Sequence, residues 1–303
     1  MVRDLTRLGF SVVQINRRTL LEGATLQIGA FAARPVSDAC SDVERQAAHV
    51  VVLPLSGVFA RHDAPGRHVV GTPSHAVLVA ADTPYRLSFP GAIGDRALLL
   101  RFGDEVALDR RACGAGEDMA SHGLLPAGAM MLRNLLWTRL VNAEADGFEA
   151  EALGLDLLDI SLAAMRAGRA PVRRSAHTRR LRAIARVKEA VALAPAEAWS
   201  VAKLAKIANL SPFHLCHVFR ETVGTSIYDY VLQERLAQTL DAVVDGGDLT
   251  AIALDAGFAS HSHFTAHFRK FFGCTPTALR RIATAAHVAQ KRKIVTAHRR
   301  ALS

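Results

Sequence analysis

The first 170 residues contain no lysine: 17 arginines stand there against 19 Asp and Glu, a balance of −2. Residues 171–303 hold 20 Lys and Arg against 9 carboxylates, a balance of +11, so the second half carries all of the formal charge of +9. A surplus of that size points to nucleic acid, an anionic membrane surface or an acidic ligand. Cysteine is scarce as well. Cys40, Cys113, Cys216 and Cys274 form no CxxC pair, which excludes a zinc ribbon or a disulfide framework and fits a reducing compartment. No apolar run approaches the ~20 residues that span a bilayer, and the start, MVRDLTRLGF, lacks an apolar core of signal-peptide length. The expectation is a cytoplasmic chain with no membrane partner. P-loop, GxSxG and strand-coupled GxGxxG motifs are missing too. His49, His62, His68 and His75 occur singly, without an HxH or a carboxylate at set spacing, so no metal triad and no cofactor is expected.

What is present is enough chain, 303 residues and half of them hydrophobic, for about two domains with real cores. A disordered or fibrous protein is thereby excluded. From Thr25 to Phe102 the runs are short and β-branched, such as 50–61, 74–81 and 97–102, with turn signals at Ala64-Pro65-Gly66, Gly71-Thr72-Pro73 and Pro90-Gly91. They read as antiparallel strands of a sandwich or barrel. Between Leu124 and Met165 the period becomes helical: Leu132, Leu135, Leu136 and Leu140, then Leu153, Leu157, Leu158, Leu162 and Met165 mark two amphipathic helices joined near Asp146-Gly147. Two apolar stripes beside a small barrel read either as a homodimer interface or as a cover packed within one chain. The fold class is α+β in two domains: 1–170 β-rich with trailing helices, a basic linker at 171–180, an all-α domain at 181–283 and a basic tail at 284–303.

The second half repeats itself. Laying 204-LAKIANLSPFHLCHVFRETVG-224 on 252-IALDAGFASHSHFTAHFRKFFG-273 matches Ala205 with Ala253, Ala208 with Ala256, Ser211 with Ser260, His214 with His263, Phe219 with Phe268, Arg220 with Arg269 and Gly224 with Gly273. Each copy reads as a short helix, a turn with a left-handed residue (Asn209, Gly257) and a second, capped helix. Ser211 is the N-cap of the first such helix, with Pro212 at its first position. Helical spacing puts Leu215, Val218 and Phe219 inside and Phe213, Cys216, His217 and Arg220 outside; in the second copy Phe264, Phe268, Phe271 and Phe272 are inside and Ser262, Thr265, Ala266 and Arg269 outside. The segment from Ser226 to Val243, free of Gly and Pro, predicts a rod of roughly 27 Å, fit to hold two recognition helices about one DNA turn apart.

These motifs, from about Leu181 to Arg281, resemble the DNA-binding domain of the AraC/XylS family of bacterial transcription regulators. The G-F-x-S-x-S-H-F…F-R-x-x-F-G-x-[TS]-P pattern, here Gly257 to Pro276, carries most of the likeness. The β-rich half is similar, more diffusely, to the family's cupin-like sensor and dimerisation region. The resemblance implies a DNA-binding activator or repressor with a small-molecule effector, promoter DNA and RNA polymerase as partners, and no enzymatic activity. Carried over by position, base reading falls on Phe213, Cys216 and His217, and on His261, Ser262, Thr265 and Ala266. Arg220 and Arg269 read as phosphate clamps or solvated arginines, and Ser211, His214 and His263 as structural or phosphate contacts. The family often has Arg where His217 and Ala266 stand here, so the second helix is expected to read fewer bases. The tail's Lys291-Arg292-Lys293 and Arg299-Arg300 add non-specific attraction to DNA or are merely solvated. His75, Tyr85, Arg86, Phe89 and Arg101 are candidates to line an effector pocket. The rival reading is a metal-dependent cupin enzyme fused to a DNA-binding module.

Overall fold

The computed structural model describes residues 13–64, 67–109, 121–167 and 174–284. Its first half is two antiparallel sheets. Strands β1 (Val13–Glu22), β2 (Gln27–Pro35), β3 (His49–Ser56), β6 (His75–Val79), β8 (Arg96–Phe102) and β9 (His122–Leu124) form the larger in the order β1-β2-β8-β3-β6-β9. The smaller is β5-β4-β7, from β4 (Phe59–Ala64), β5 (Arg67–Gly71) and β7 (Arg86–Ser88). The large sheet is buried on both faces, which is why its strands read as unbroken apolar runs. On β8, Ala97 and Leu99 turn toward the small sheet, with Phe31, Val50 and Phe59, while Leu98, Leu100 and Phe102 turn toward helices.

Two strand expectations need correction. The run 50–61 is two strands, broken where Gly57 takes φ +79 so that β4 crosses into the small sheet. Strand β1 precedes Thr25, where the sequence reading began its strands. It is a sheet edge whose exposed Arg17 and Arg18 hide the apolar alternation, and charge on an edge strand blocks pairing with other chains.

The helices are α1 (Asp104–Asp109), α2 (Ala127–Val141), α3 (Gly147–Ala167), α4 (Arg174–Leu193), α5 (Val201–Ala208), α6 (Pro212–Val223), α7 (Ile227–Val244), α8 (Leu249–Asp255) and α9 (His261–Phe272). Residues 276–284 are helical too. Among the described residues no helix is long and apolar enough to cross a membrane. Helix α4 starts inside the segment read as a linker, so the later part of 171–180 is helical. The tail residues Lys291-Arg292-Lys293 and Arg299-Arg300, and Cys113, lie outside the described residues.

Packing settles where the stripes of α2 and α3 go. Leu136, Leu157, Leu158, Leu162 and Met165 are fully buried. Helix α2 packs on α3, α7 and α9, and α3 on β9 and the large sheet. The inner side of the stripes is thus covered within the chain by α7, α9 and the large sheet, while Leu132, Leu135, Leu140 and Leu153 stay half-buried. One core runs from β2 and β8 through these helices to Leu236, Leu240 and Val243 of α7 and on to Phe258, Phe264, Phe268 and Phe272. A separate core joins α4, α5 and α6 to Ile227 and Tyr230 at the other end of α7.

Candidate nucleic-acid interface

Each repeat is built from the same local signals. Ser200 caps α5 by accepting from the Lys203 N–H, Asn209 ends that helix at φ +55, and Ser211 caps α6 by accepting from the His214 N–H, with Pro212 in the first turn. In the second copy Asp248 caps α8 and Ser260 caps α9, accepting from Ala251 and His263. Between them Gly257 sits at φ +79, and a Cβ there would stand 2.6 Å from the Ala196 Cα, so only glycine fits.

On α6, Leu215, Val218 and Phe219 are fully buried, and Phe213, Cys216, His217 and Arg220 are exposed. On α9, Phe264, Phe268 and Phe272 are buried and Phe271 half-buried; His261, Ser262, His263, Ala266 and Arg269 are exposed, and Thr265 is half-buried. The residues expected to face DNA thus share one outward face per helix. Ser211 is exposed at its cap and His214 is half-buried. His217 is not idle in the free protein: its Nε2 lies 3.2 Å from the Glu221 carboxylate one turn on. Thr265 Oγ1 lies 3.4 Å from His261 Nε2. His263 stands edge-on to His267, 4.6 Å between centroids; burial, then the charge of His263, holds His267 below the usual histidine range. Among the described residues no His, Cys, Asp and Glu group could hold a metal ion.

The two units are spaced by α7, whose 18 residues make a rod of roughly 27 Å. Sequence reading missed what fastens them to it. Arg235 donates from Nε to the Pro195 carbonyl (2.7 Å), from Nη1 to Gly257 (3.1 Å) and from Nη2 to Glu197 (3.0 Å), tying the approach to α5 and the turn of the second unit to one side chain. Arg280 donates to the carbonyls of Val243 (3.2 Å) and Gly247 at the far end. An arginine within a helical pattern reads as solvated, since carbonyl acceptors leave no mark in the sequence.

A helix-turn-helix domain family matches residues 204–282. The chain is 34% identical over 83 residues to a putative AraC-like transcription regulator of Streptomyces antibioticus, covering 27% of each protein. It is 33% identical over 86 residues to PqrA of Proteus vulgaris, a probable transcription factor, covering 27% of this chain and 70% of that one. The chain belongs to the AraC family of transcription regulators. Of the first curated relatives it matches, the chain spans 24 to 34% of their own length. A crystal structure of ToxT from Vibrio cholerae O395 aligns with 90% of this chain and 98% of its own, at 13% identity and a TM-score of 0.35.

In this AraC-family chain the helix-turn-helix half is gripped by the β-rich half at α7. Glu234, fully buried at the middle of that helix, accepts from Thr72 Oγ1 at 2.7 Å and from Ser74 Oγ. Because Thr72 gives its proton to Glu234, it accepts in turn from His75 Nδ1 (2.7 Å), and burial holds His75 neutral, its pKa well below the usual range. Burial raises the Glu234 carboxyl. It lowers Lys188 of α4 to about 8 against the pull of Glu234. Arg133 of α2, buried and lowered to about 9, donates to the Pro73 carbonyl at 2.6 Å. Arg96 of β8 reaches both Ser56 (3.3 Å) and Asp241 of α7.

Between its sheets the β-rich half holds a partly open cavity of about 40 Å³. Of the residues expected there, Tyr85 and Arg101 line this cavity, together with Arg17 and Asp95, which sequence reading missed. The other expected pocket residues do not. His75 belongs to the α7 contact; Arg86 is turned outward by strand alternation, with Leu87 inward; Phe89, 1% exposed, packs within the core. His49 meets Asp104, while His62 and His68 pair across β4 and β5, 5.3 Å between ring centroids, and reach Ser88 and Glu189.

Proposed function

We propose that this chain controls transcription by laying α6 and α9 in successive major grooves of a promoter, under the control of a small effector held between the sheets, with no catalytic step. The observation that carries the reading is the doubled device: two serine-capped helices, each burying one apolar face and presenting a polar one, held apart by a single rod of roughly 27 Å. Phe213, Cys216 and His217 meet base edges from α6, and His261, Ser262, Thr265 and Ala266 from α9. Arg220 and Arg269, with Ser211, His214 and His263, hold phosphates and fix the register. Residues 1–170 act as the effector domain, 181–283 as the DNA-binding domain, in the cytoplasm. An effector acts by shifting the balance between two arrangements of the halves, and the buried grip on Glu234 is the contact that distinguishes them. The output is altered promoter occupancy or contact with RNA polymerase.

The test is binding to DNA selected from a random pool. Arg220→Ala or Arg269→Ala lowers affinity for all sequences and reduces the salt slope by about 0.9 per lost phosphate contact. His217→Ala or Thr265→Ala changes which sequences are recovered. Shifted preference with an unchanged salt slope in the arginine variants would reverse these roles.

A further inference from the structure

The cavity has two unlike ends. At its mouth stand Arg17, which is exposed, and Arg101, with Tyr85 and Gln46 beside them. Arg17 is already matched by Glu44 at 2.7 Å and lies over the Phe31 ring, and Arg101 donates to Gln27 at 3.2 Å. At the other end is Asp95, 3% exposed, whose carboxylate meets no donor beyond its own backbone N–H. Both Asp95 and Arg101 belong to the inward-facing row that includes Ala97 and Leu99, six residues apart, so their Cα atoms are roughly 20 Å apart along the strand. Phe31, Val50, Val52, Phe59, Leu87 and Leu99 make the walls between.

A buried carboxylate with no other partner is costly, and native chains keep such groups where something else completes them. Asp95 is also fixed in place. Gly57 packs against Gly94 and Asp95 so closely that a Cβ would collide with both. The next residue, Arg96, is anchored to Ser56 and Asp241.

We infer that the cavity takes a small, largely apolar molecule bearing a protonated primary amine, seated with its ammonium on Asp95. An ammonium has three donors for the two carboxylate oxygens and brings the counter-charge that the site lacks. A polyol does not suit apolar walls that offer its hydroxyls no partners. A carboxylate would meet Asp95 with like charge, and the arginines that could receive it lie at the mouth with acceptors of their own. Burial pushes Asp95 up to about 7, and an ammonium beside it would draw that value back down. Because Arg96 follows Asp95 directly and holds α7 at Asp241, drawing Asp95 toward a ligand acts on the helix that spaces the two DNA-reading units.

This inference rests on the reading of the first half as an effector domain, so its test separates the two. Phenethylamine, benzylamine and hexylamine, and the acids phenylacetate and hexanoate, are titrated calorimetrically into the full-length protein, its Asp95→Asn variant and its Arg101→Gln variant. The expected result is binding by at least one amine, weakened about ten- to a hundred-fold by Asp95→Asn, as loss of a charge-assisted hydrogen bond requires, and little changed by Arg101→Gln. Asp95→Asn must keep the wild-type circular dichroism and melt cooperatively. Tighter binding of the acids, lost in Arg101→Gln, overturns the amine and leaves the effector reading standing. If no probe binds, the amine inference fails. Val52→Phe, which fills part of the cavity, then decides the rest, and unchanged promoter output in cells with that variant overturns the effector reading as well.

Discussion

A carboxyl group that sheds its hydration on entering a fold and finds no donor there beyond its own backbone N–H weakens that fold wherever it is ionised. Asp95 is such a group, pushed from the ordinary 3.8 to about 7 by burial. The unfolded chain loses this proton near pH 4 and the folded chain near pH 7, so between those values folding takes up a proton. Stability therefore falls as pH rises from about 4 to 7 and stays at the lower level above 7. At about 1.36 kcal/mol per unit the difference is on the order of 4 kcal/mol. Asp95→Asn removes that titration. Its melting temperature relative to the wild type should climb between pH 4.5 and 8 (values about either side of the window), and parallel pH profiles for the two proteins would mean that Asp95 is hydrated or paired after all. At the same scale, Glu234 is a buried acceptor for two hydroxyls with Lys188 as its neighbouring charge. Glu234→Ala strands all three and should cost roughly 3–5 kcal/mol in urea melts, whereas Glu234→Gln keeps an acceptor and should cost less. Equal losses would mean that packing, rather than the hydrogen bonds, holds that contact.

Among the elements, the recognition helices depend on their caps. Ser211 and Ser260 each accept from a backbone N–H in the first turn, and replacing either by Ala should cost ~1 kcal/mol of stability. DNA affinity should fall with it while the preferred sequence stays the same; a changed preference would place the serine itself on a base. These helices, their turns and α7 were legible in the sequence because they are specified locally, by cap residues, left-handed turn residues and an apolar period that the repeat displays twice. The β-rich half was legible only in part. Its central strands declare themselves by unbroken apolar runs, but the crossing at Gly57 depends on the approach of residues 94–95 from another part of the chain, and β1 is an edge with an exposed polar face. The site residues divide in the same way. Arg101 lies on a strand with an apolar run around it and Tyr85 just before the short β7, while Asp95 looks like a turn residue, and Glu234 and Arg235 look like the solvated face of a helix. What buries them comes from tens of residues away, through the carbonyls of Pro195 and Gly257 or the hydroxyls of Thr72 and Ser74.

At the scale of the molecule, the two DNA-reading units do not share a core. The first packs with α4 and the start of α7, and the second with the end of α7 and the β-rich half. Their relative position is therefore set by α7 itself, by Arg235 and the grip on Glu234 near its middle and by Arg280 at its far end. The charge is divided in the same way: residues 171–303 are balanced at +11, which suits the phosphates they are proposed to meet, and residues 1–170 at −2. A rod of roughly 27 Å between recognition helices fits half-sites about 10 bp apart on one face of the DNA. Inserting about 5 bp between half-sites carries the second onto the opposite face, beyond the reach of a straight helix. Affinity for the spaced operator should then fall to that of a single half-site, and the salt slope should drop because the phosphate contacts of one unit are lost. Gel-shift titration of the two operators at several salt concentrations measures both quantities. Equal affinity for the two spacings would mean that α7 or its anchors yield, and that the units search the DNA independently.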